Sequence, residues 1–124
     1  MQKTKKILIV DDEPEFLSLL KSALEIRGLE VMTTSNAVEA GLWMAGQSPA
    51  LILMDIRMPG IDGFQACEAI KRNPSTHDIP ILIISALSDD VYMRKAEKLK
   101  LAGYFTKPVD IENLIKKIRE IMDN

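Results

Sequence analysis

Cysteine is nearly absent from the sequence, since Cys67 is the only one among 124 residues. A single thiol cannot form an internal disulfide, and this composition favours a protein of a reducing compartment such as the cytoplasm. A strong net charge is also lacking, because 16 basic and 18 acidic residues leave a formal charge of −2. The chain therefore has no global attraction for nucleic acid or for an anionic membrane.

Long apolar segments are missing as well. The basic start of the chain is followed by a short apolar run, residues 7–10, which ends at two aspartates. This run is too short for a signal peptide or a membrane-spanning helix. The sequence has no internal repeat, low-complexity segment or linker, so residues 1–124 are predicted to form a single domain.

Short apolar runs alternate with segments of helical periodicity along the chain. Ile7–Val10 and Ala50–Met54 are continuous apolar runs, which are typical of strands buried on both faces of a parallel sheet. Each predicted strand is followed by a predicted helix, and this alternation predicts an α/β fold with a doubly wound parallel sheet. The predicted strands span residues 7–10, 30–33, 50–54, 79–84 and 104–106.

Residue pairs with the spacing of a capping box mark two of the predicted helix starts. Asn36 with Glu39, and Asp62 with Gln65, have this three-residue spacing. A polar and basic helix is also predicted at about residues 88–100. The helix that follows Asn36 is expected to have an apolar side formed by Val38, Leu42 and Trp43.

The residues that follow the predicted strands are the candidates for a functional site, because ligands of an open parallel sheet bind beyond the carboxyl ends of its strands. Each residue alone is commonplace, since an aspartate after a strand is usually a helix cap or a turn residue. Their joint position at the ends of separate strands predicts a site. The candidates are Asp11, Asp12, Glu13, Asp55, Ser85 and Lys107.

Three crowded carboxylates repel one another and raise each other's pKa unless a cation joins them. Mg²⁺ suits such a cluster because it binds a few carboxylate oxygens and retains several waters. Lys107 could neutralise a transferred phosphoryl group, and the Ser85 hydroxyl could donate a hydrogen bond to it. An aspartate such as Asp55 can itself be the nucleophile and form an acyl phosphate.

Four segments together resemble the receiver domains of two-component response regulators: Ile7–Glu13, Leu53–Gly63, Ile84–Ala86 and Tyr104–Pro108. The resemblance spans essentially the whole chain. It implies a flavodoxin-like (βα)5 fold whose five strands lie in the order 2-1-3-4-5. It also implies a cytoplasmic phosphoprotein that acts in a phosphorelay.

The resemblance implies a role for each residue of the site. Asp55 would be the phosphoacceptor, and Lys107, joined to Pro108 by a cis bond, would contact the phosphoryl group. Ser85 would move toward the phosphoryl oxygen, and Tyr104 would turn inward. The ligands of Mg²⁺, for which Mn²⁺ could substitute, would be Asp11, Asp12, Asp55 and the backbone carbonyl of Arg57.

The resemblance also implies partners. The phosphodonor would be a phosphohistidine on a sensor histidine kinase or a phosphotransfer protein. Phosphorylation would switch the face made by the fourth helix, the last strand and the final helix. A downstream protein, a fused output domain or a second copy of the chain would bind this face. The domain itself would contact neither nucleic acid nor membrane. The resemblance fits a stand-alone regulator and an excised domain equally.

Three departures from the commonest family pattern involve four positions. Lys100 lies where the family often has glycine, so the turn before the last strand is expected to differ. Ser85 lacks the methyl group of the commoner threonine. Arg57 and Leu87 each lie two residues beyond a site residue, and we expect their side chains to screen the phosphoryl group from water and slow its hydrolysis.

Two other functions compete with this interpretation. The first is a Mg²⁺-dependent phosphohydrolase with an aspartyl nucleophile, which is disfavoured because the first predicted strand ends in adjacent aspartates and the chain has no length for a cap domain. The second is a receiver-like binding module that never takes phosphate, and such modules typically lose a residue that this chain keeps. The chain is therefore expected to catalyse only its own phosphorylation and dephosphorylation, not turnover of a substrate.

Overall fold

Five parallel strands form the central sheet of the computed structural model, which describes residues 2–58 and 61–123. The strands lie side by side in the order β2-β1-β3-β4-β5, which confirms the predicted order. Pro59 and Gly60, within the motif that contains Asp55, lie outside the described residues. The strands are β1 Ile7–Val10, β2 Val31–Thr34, β3 Leu51–Met54, β4 Ile81–Ser85 and β5 Gly103–Thr106.

A helix follows each strand, so the predicted alternation is confirmed. In the described ranges, none of the helices is long and apolar enough to cross a membrane. The helices are α1 Pro14–Ile26, α2 Ala37–Met44, α3 Gly63–Arg72, α4 Asp90–Lys98 and α5 Ile111–Met122.

The sheet separates two apolar cores because successive strand residues point to opposite faces. Ile7 and Ile9 of β1 pack in one core with buried residues of α1 and α5. Leu8 and Val10 of the same strand pack in the other core with α2, α3 and α4. Burial on both faces explains why the strand sequences are continuously apolar rather than alternating.

The predicted caps form hydrogen bonds at both helix starts. The Asn36 side chain accepts a hydrogen bond from the Glu39 amide at 2.7 Å and so caps α2. Asp62 accepts from the Phe64 amide at 2.9 Å, while the Gln65 side chain accepts from the Asp62 amide at 3.4 Å. These bonds satisfy backbone donors that have no partner inside the helix.

The predicted apolar side of α2 is wrong for two of its three residues. The side chains of Val38 and Leu42 face solvent, with 74% and 73% of their surface exposed, whereas Ala40 and Met44 are buried. Only Trp43 packs partly against the core. At 100° per residue, Val38 and Leu42 lie opposite the Ala40–Met44 side, so the helix buries that side against the sheet and turns its two branched aliphatic residues to solvent.

The turn after α4 has the conformation that glycine favours, although its residue is a lysine. Lys100 has a φ of 57°, in the left-handed region, much as Gly28 does after α1 with a φ of 82°. The Lys100 amide donates to the Glu97 carbonyl, and the Leu101 amide donates to the Ala96 carbonyl, both at 3.0 Å. This Schellman pair satisfies the last carbonyls of the helix. Lysine therefore adopts a strained conformation here instead of changing the turn.

Candidate functional site

Hydrogen bonds at the carboxyl edge of the sheet position the residues of the site. The Asp55 amide donates to the Val10 carbonyl at 2.9 Å, and the Lys107 amide donates to the Ser85 carbonyl at 2.8 Å. The Asp11 amide donates in the same way to the carbonyl of the last residue of β2. The sheet's hydrogen bonding thus continues one residue past the strands, which brings the predicted site residues together at one edge.

Three carboxylates form the acidic part of the site. Asp11, Asp12 and Asp55 each offer one oxygen, and these oxygens all lie within 4.8 Å of one another. Asp11 and Asp55 are 1% and 5% exposed, and Asp12 is half-buried. Burial raises the pKa of Asp11, and a hydrogen bond from Lys107 partly opposes that effect. Hard oxygen donors of this kind can hold a divalent metal ion.

The Lys107 ammonium contacts two of these three carboxylates. It lies 2.8 Å from Asp11 and 3.4 Å from Asp55, and it forms an ion pair with Glu13. It also lies 4.2 Å from the centre of the Phe16 ring, a cation–π distance. Burial alone would lower the pKa of Lys107, but the hydrogen bonds to Asp11 and Glu13 outweigh burial and raise it. Lys107 is therefore a permanent positive charge beside Asp55.

Ser85, Leu87 and Tyr104 are connected by hydrogen bonds beside the acidic cluster. Ser85 is fully buried, and its hydroxyl oxygen accepts a hydrogen bond from the Leu87 amide at 3.2 Å. The Tyr104 hydroxyl donates to the Leu87 carbonyl, and burial raises the pKa of Tyr104. A displacement of Ser85 is thereby linked through one residue to the ring of Tyr104.

An open cleft of about 480 Å³ lies over the carboxylates. Arg57 contributes an exposed side chain to it, and its amide donates to Asp55 at 3.1 Å. Leu87 is half-buried and packs against the core beside the cleft. The predicted effect of Arg57 and Leu87 on hydrolysis stays a prediction. The cleft is lined by Asp12, Glu13, Asp55, Arg57, Met58, Ala86 and Lys107.

Gly63 supports the loop that carries Asp55. A Cβ atom at this position would lie 2.5 Å from the Asp55 carbonyl oxygen and would collide with the Ile56 backbone. The Gly63 amide donates to the Ile56 carbonyl at 2.9 Å. The first residue of α3 thus packs directly on the loop that carries Asp55, and only glycine fits there.

Sequence reasoning missed three contributors to the site. Phe16 lies in the first turn of α1, and its position over Lys107 depends on a contact between distant segments. Met58 and Ala86 line the cleft although neither carries a polar group. Their proximity in sequence to Asp55 and Ser85 is the one local signal that could have indicated them. The Lys107–Pro108 bond is cis, as the resemblance implies.

Comparison with known proteins identifies relatives over nearly the full chain. The family model described as the response regulator receiver domain matches residues 7–119. Protein PilH of Pseudomonas aeruginosa is 33% identical over 117 residues, which cover 94% of this chain and 97% of PilH. The DNA-binding dual master transcriptional regulator RpaA of Synechocystis is 30% identical over 94% of this chain, but the match covers only 48% of RpaA. The chain thus spans about half the length of that regulator.

Solved structures share the same architecture. A two-component response regulator from Clostridium difficile superposes with a TM-score of 0.89 at 26% identity, covering 98% of both chains. A CheY-like response regulator receiver domain protein from Methanospirillum hungatei JF-1 has a TM-score of 0.85 at 28% identity. That alignment covers 96% of this chain and 94% of the other.

Proposed function

Because the chain belongs to the response regulator receiver domain family of two-component signalling, we propose that it accepts a phosphoryl group on Asp55 and signals through its surface. The observation that carries this proposal is the position of Asp55, a buried carboxylate that is open to the cleft and flanked by Lys107 at 3.4 Å. An ammonium at this distance can balance the charge that a phosphoryl group brings.

Mg²⁺, or Mn²⁺ in its place, fits the acidic cluster as the metal of this reaction. Asp12, Asp55 and the backbone carbonyl of Arg57 would hold it, with Asp11 acting through water. The close approach of three carboxylate oxygens supports this assignment, since oxygen donors so placed are the ligands that a hard divalent ion prefers. When bound, the metal supplies positive charge that stabilises the transferring phosphoryl group.

The transfer step needs only a nucleophile, charge balance and position. One Asp55 oxygen attacks the phosphorus of a phosphohistidine as the phosphorus–nitrogen bond breaks, and the imidazole nitrogen keeps the electron pair and takes up a proton. The product is an acyl phosphate on Asp55 beside the Lys107 ammonium. Water later attacks the phosphorus, releases inorganic phosphate and regenerates the carboxylate. The chain therefore modifies itself and does not turn over a substrate.

The switch follows from the hydrogen bonds of Ser85. The phosphoryl group offers the Ser85 hydroxyl an acceptor that exists only in the phosphorylated state, which is the differential interaction that a population shift requires. Movement of Ser85 disturbs its bond from the Leu87 amide and, through the Leu87 carbonyl, the position of Tyr104. Tyr104 belongs to β5, so the change reaches the α4-β5-α5 face.

The surface chemistry of α4 supports a partner with acidic groups at this face. Four exposed basic residues, Arg94, Lys95, Lys98 and Lys100, lie on or just after the helix. The partner would be a downstream protein, a fused output domain or a second copy of the chain, and the phosphodonor would be a histidine kinase or phosphotransfer protein. All these exchanges would take place in the cytoplasm. Relatives that include transcriptional regulators, matched over part of their length, support the fused alternative.

The test is phosphorylation with acetyl phosphate and Mg²⁺, followed by intact-mass and peptide mass spectrometry. We expect one labile phosphoryl group on Asp55, loss of the adduct in Asp55→Asn, and retention in Asp78→Asn, which changes an exposed aspartate away from the cleft. A folded wild-type chain without an adduct would instead favour a phosphate-independent binding module. Repeated turnover of a phosphomonoester would favour a phosphohydrolase.

A further inference from the structure

Glu13 competes for the lysine that the phosphoryl group needs. We infer that Glu13 is a positioning residue, which holds the Lys107 ammonium in the unphosphorylated state and must release it when Asp55 is modified. This inference rests on the proposed function, because it concerns the same lysine. It assigns to Glu13 a role that differs from metal binding and from helix capping, since its side chain forms no capping hydrogen bond.

The three carboxylates around Lys107 occupy all of its donors. A lysine ammonium has three N–H groups, and here it contacts Asp11, Asp55 and Glu13. The Asp55 contact is the longest of the three, at 3.4 Å, compared with 2.8 Å to Asp11. The ammonium is thus displaced toward the start of α1. A phosphoryl oxygen on Asp55 therefore competes with Asp11 and Glu13 for the same N–H groups.

Glu13 is the acceptor that can leave at the lowest cost. Its side chain is 60% exposed, whereas those of Asp11 and Asp55 are 2% and 5% exposed. Water can hydrate the Glu13 carboxylate after it separates from Lys107. A buried carboxylate that separates from its partner has no such compensation, so breaking its ion pair destabilises the protein. The Glu13 backbone does not need to move, because its amide is held by Asp11 at 2.9 Å.

Phe16 completes the resting position of the lysine. Its ring lies three residues after Glu13, in the first turn of α1, and its centre is 4.2 Å from the Lys107 ammonium. An aromatic face attracts a cation and leaves all three N–H groups free to donate. The ring therefore favours the lysine position near Glu13 and gives that position a spectroscopic signature, because ring currents shift nearby protons.

The test measures beryllofluoride affinity at saturating Mg²⁺, with beryllofluoride as the phosphoryl analogue. We expect Glu13→Gln to bind it about two- to fivefold more tightly than wild type, because an ion pair as exposed as that of Glu13 contributes only a small free energy. Glu15→Gln is the matched control, because it removes the same charge from an exposed residue in the same turn. Glu13→Asp retains the charge but shortens the reach, and we expect it to resemble Glu13→Gln.

The metal-free protein provides an independent measurement. In wild type the ε-methylene protons of Lys107 should be shifted upfield by the Phe16 ring, and Phe16→Leu should abolish that shift. We expect Glu13→Gln to reduce the shift, whereas Glu15→Gln should leave it unchanged.

The outcomes separate this inference from the proposed function. If wild type binds beryllofluoride and Glu13→Gln binds it no better, or if Glu15→Gln gains the same factor, competition by Glu13 is ruled out while phosphoacceptance stands. An unchanged methylene shift in Glu13→Gln would also overturn the inference. If wild type fails to bind beryllofluoride, the proposed function fails and this inference fails with it.

Discussion

At the residue scale, Gly63 shows how one missing side chain can determine the geometry of a site. The residue lies at the first position of α3, where its Cα hydrogen faces the backbone of Asp55 and Ile56. Any larger residue must push the loop that carries Asp55 away from the helix. Asp55 belongs to the acidic cluster, so a packing change in this loop displaces one of the three carboxylates.

We expect Gly63→Ala to lower the free energy of unfolding by about 1–3 kcal/mol, the usual cost of overpacking, and to weaken Mg²⁺ binding. Denaturant unfolding and a Mg²⁺ titration measure the two effects. Gly41→Ala is the matched control, because a Cβ at Gly41 in α2 would contact nothing within 4 Å. The free energy of unfolding of that variant should rise by roughly 0.5–1 kcal/mol, since alanine favours the helix. Equal effects from the two substitutions would contradict the proposed close approach.

At the element scale, the two Schellman turns form a natural comparison. Gly28 and Lys100 occupy the same position after α1 and α4, and both have a positive φ. Glycine adopts this region freely, whereas a residue with a Cβ atom is strained there. The turn geometry is therefore set by the hydrogen bonds of the helix end, not by the residue type.

We expect Lys100→Gly to raise the free energy of unfolding by roughly 0.5–1 kcal/mol, because the relief of strain exceeds the added entropy of the unfolded chain. Gly28→Ala should lower it by a comparable amount. Thermal or denaturant unfolding of both variants provides the measurement. A loss of stability in Lys100→Gly would show that the lysine side chain contributes more than its strained backbone costs.

The orientation of α2 supplies a second prediction for an element. Met44→Ala should destabilise the protein by about 2–5 kcal/mol, because it creates a cavity beneath the helix. Leu42→Gln changes a residue that is 73% exposed, and it should alter stability by less than about 0.5 kcal/mol. Denaturant unfolding distinguishes the two. A large loss in Leu42→Gln would support the orientation that the sequence suggested.

Elements differ in how far their sequence reveals them. Strands buried on both faces are easy to recognise because β1 and β3 are apolar at every position. The side of α2 that packs was misread, because the large aliphatic residues face water while Ala40 lies inside. Helix caps such as Asp62 depend on neighbours in sequence, so local spacing predicts them. Burial of a helix side depends on how closely the helix approaches the sheet, and local spacing does not contain that distance.

At the scale of the whole molecule, the site depends on pairings between distant segments. The motifs predicted which residues meet, but the strand order followed from family resemblance and not from periodicity. The sharing of Lys107 between Asp11, Glu13 and Asp55 was not predictable from the spacing of these residues. It requires the exact registers of β1, β3 and β5, which are set by tertiary packing.

We expect Mg²⁺ to stabilise the folded protein, because the ion would bind a carboxylate cluster that exists only in the native state. A metal concentration one hundred times the Kd should add about 2.7 kcal/mol to the free energy of unfolding. Thermal denaturation with increasing Mg²⁺, and after chelation, measures this effect. Asp55→Asn should lose most of the increase and Asp78→Asn should keep it, so equal increases in both would point to non-specific ion effects.

The continuation of the sheet's hydrogen bonds into the site has a consequence for protein synthesis. Asp11 emerges from the ribosome before Lys107, which lies 96 positions further along the chain. A nascent chain that has reached α4 already contains all three carboxylates but has no β5 and no ammonium beside Asp55. Its acidic cluster lacks the positive charge that Lys107 supplies in the complete fold. The full charge arrangement of the site therefore exists only after the last strand has joined the sheet.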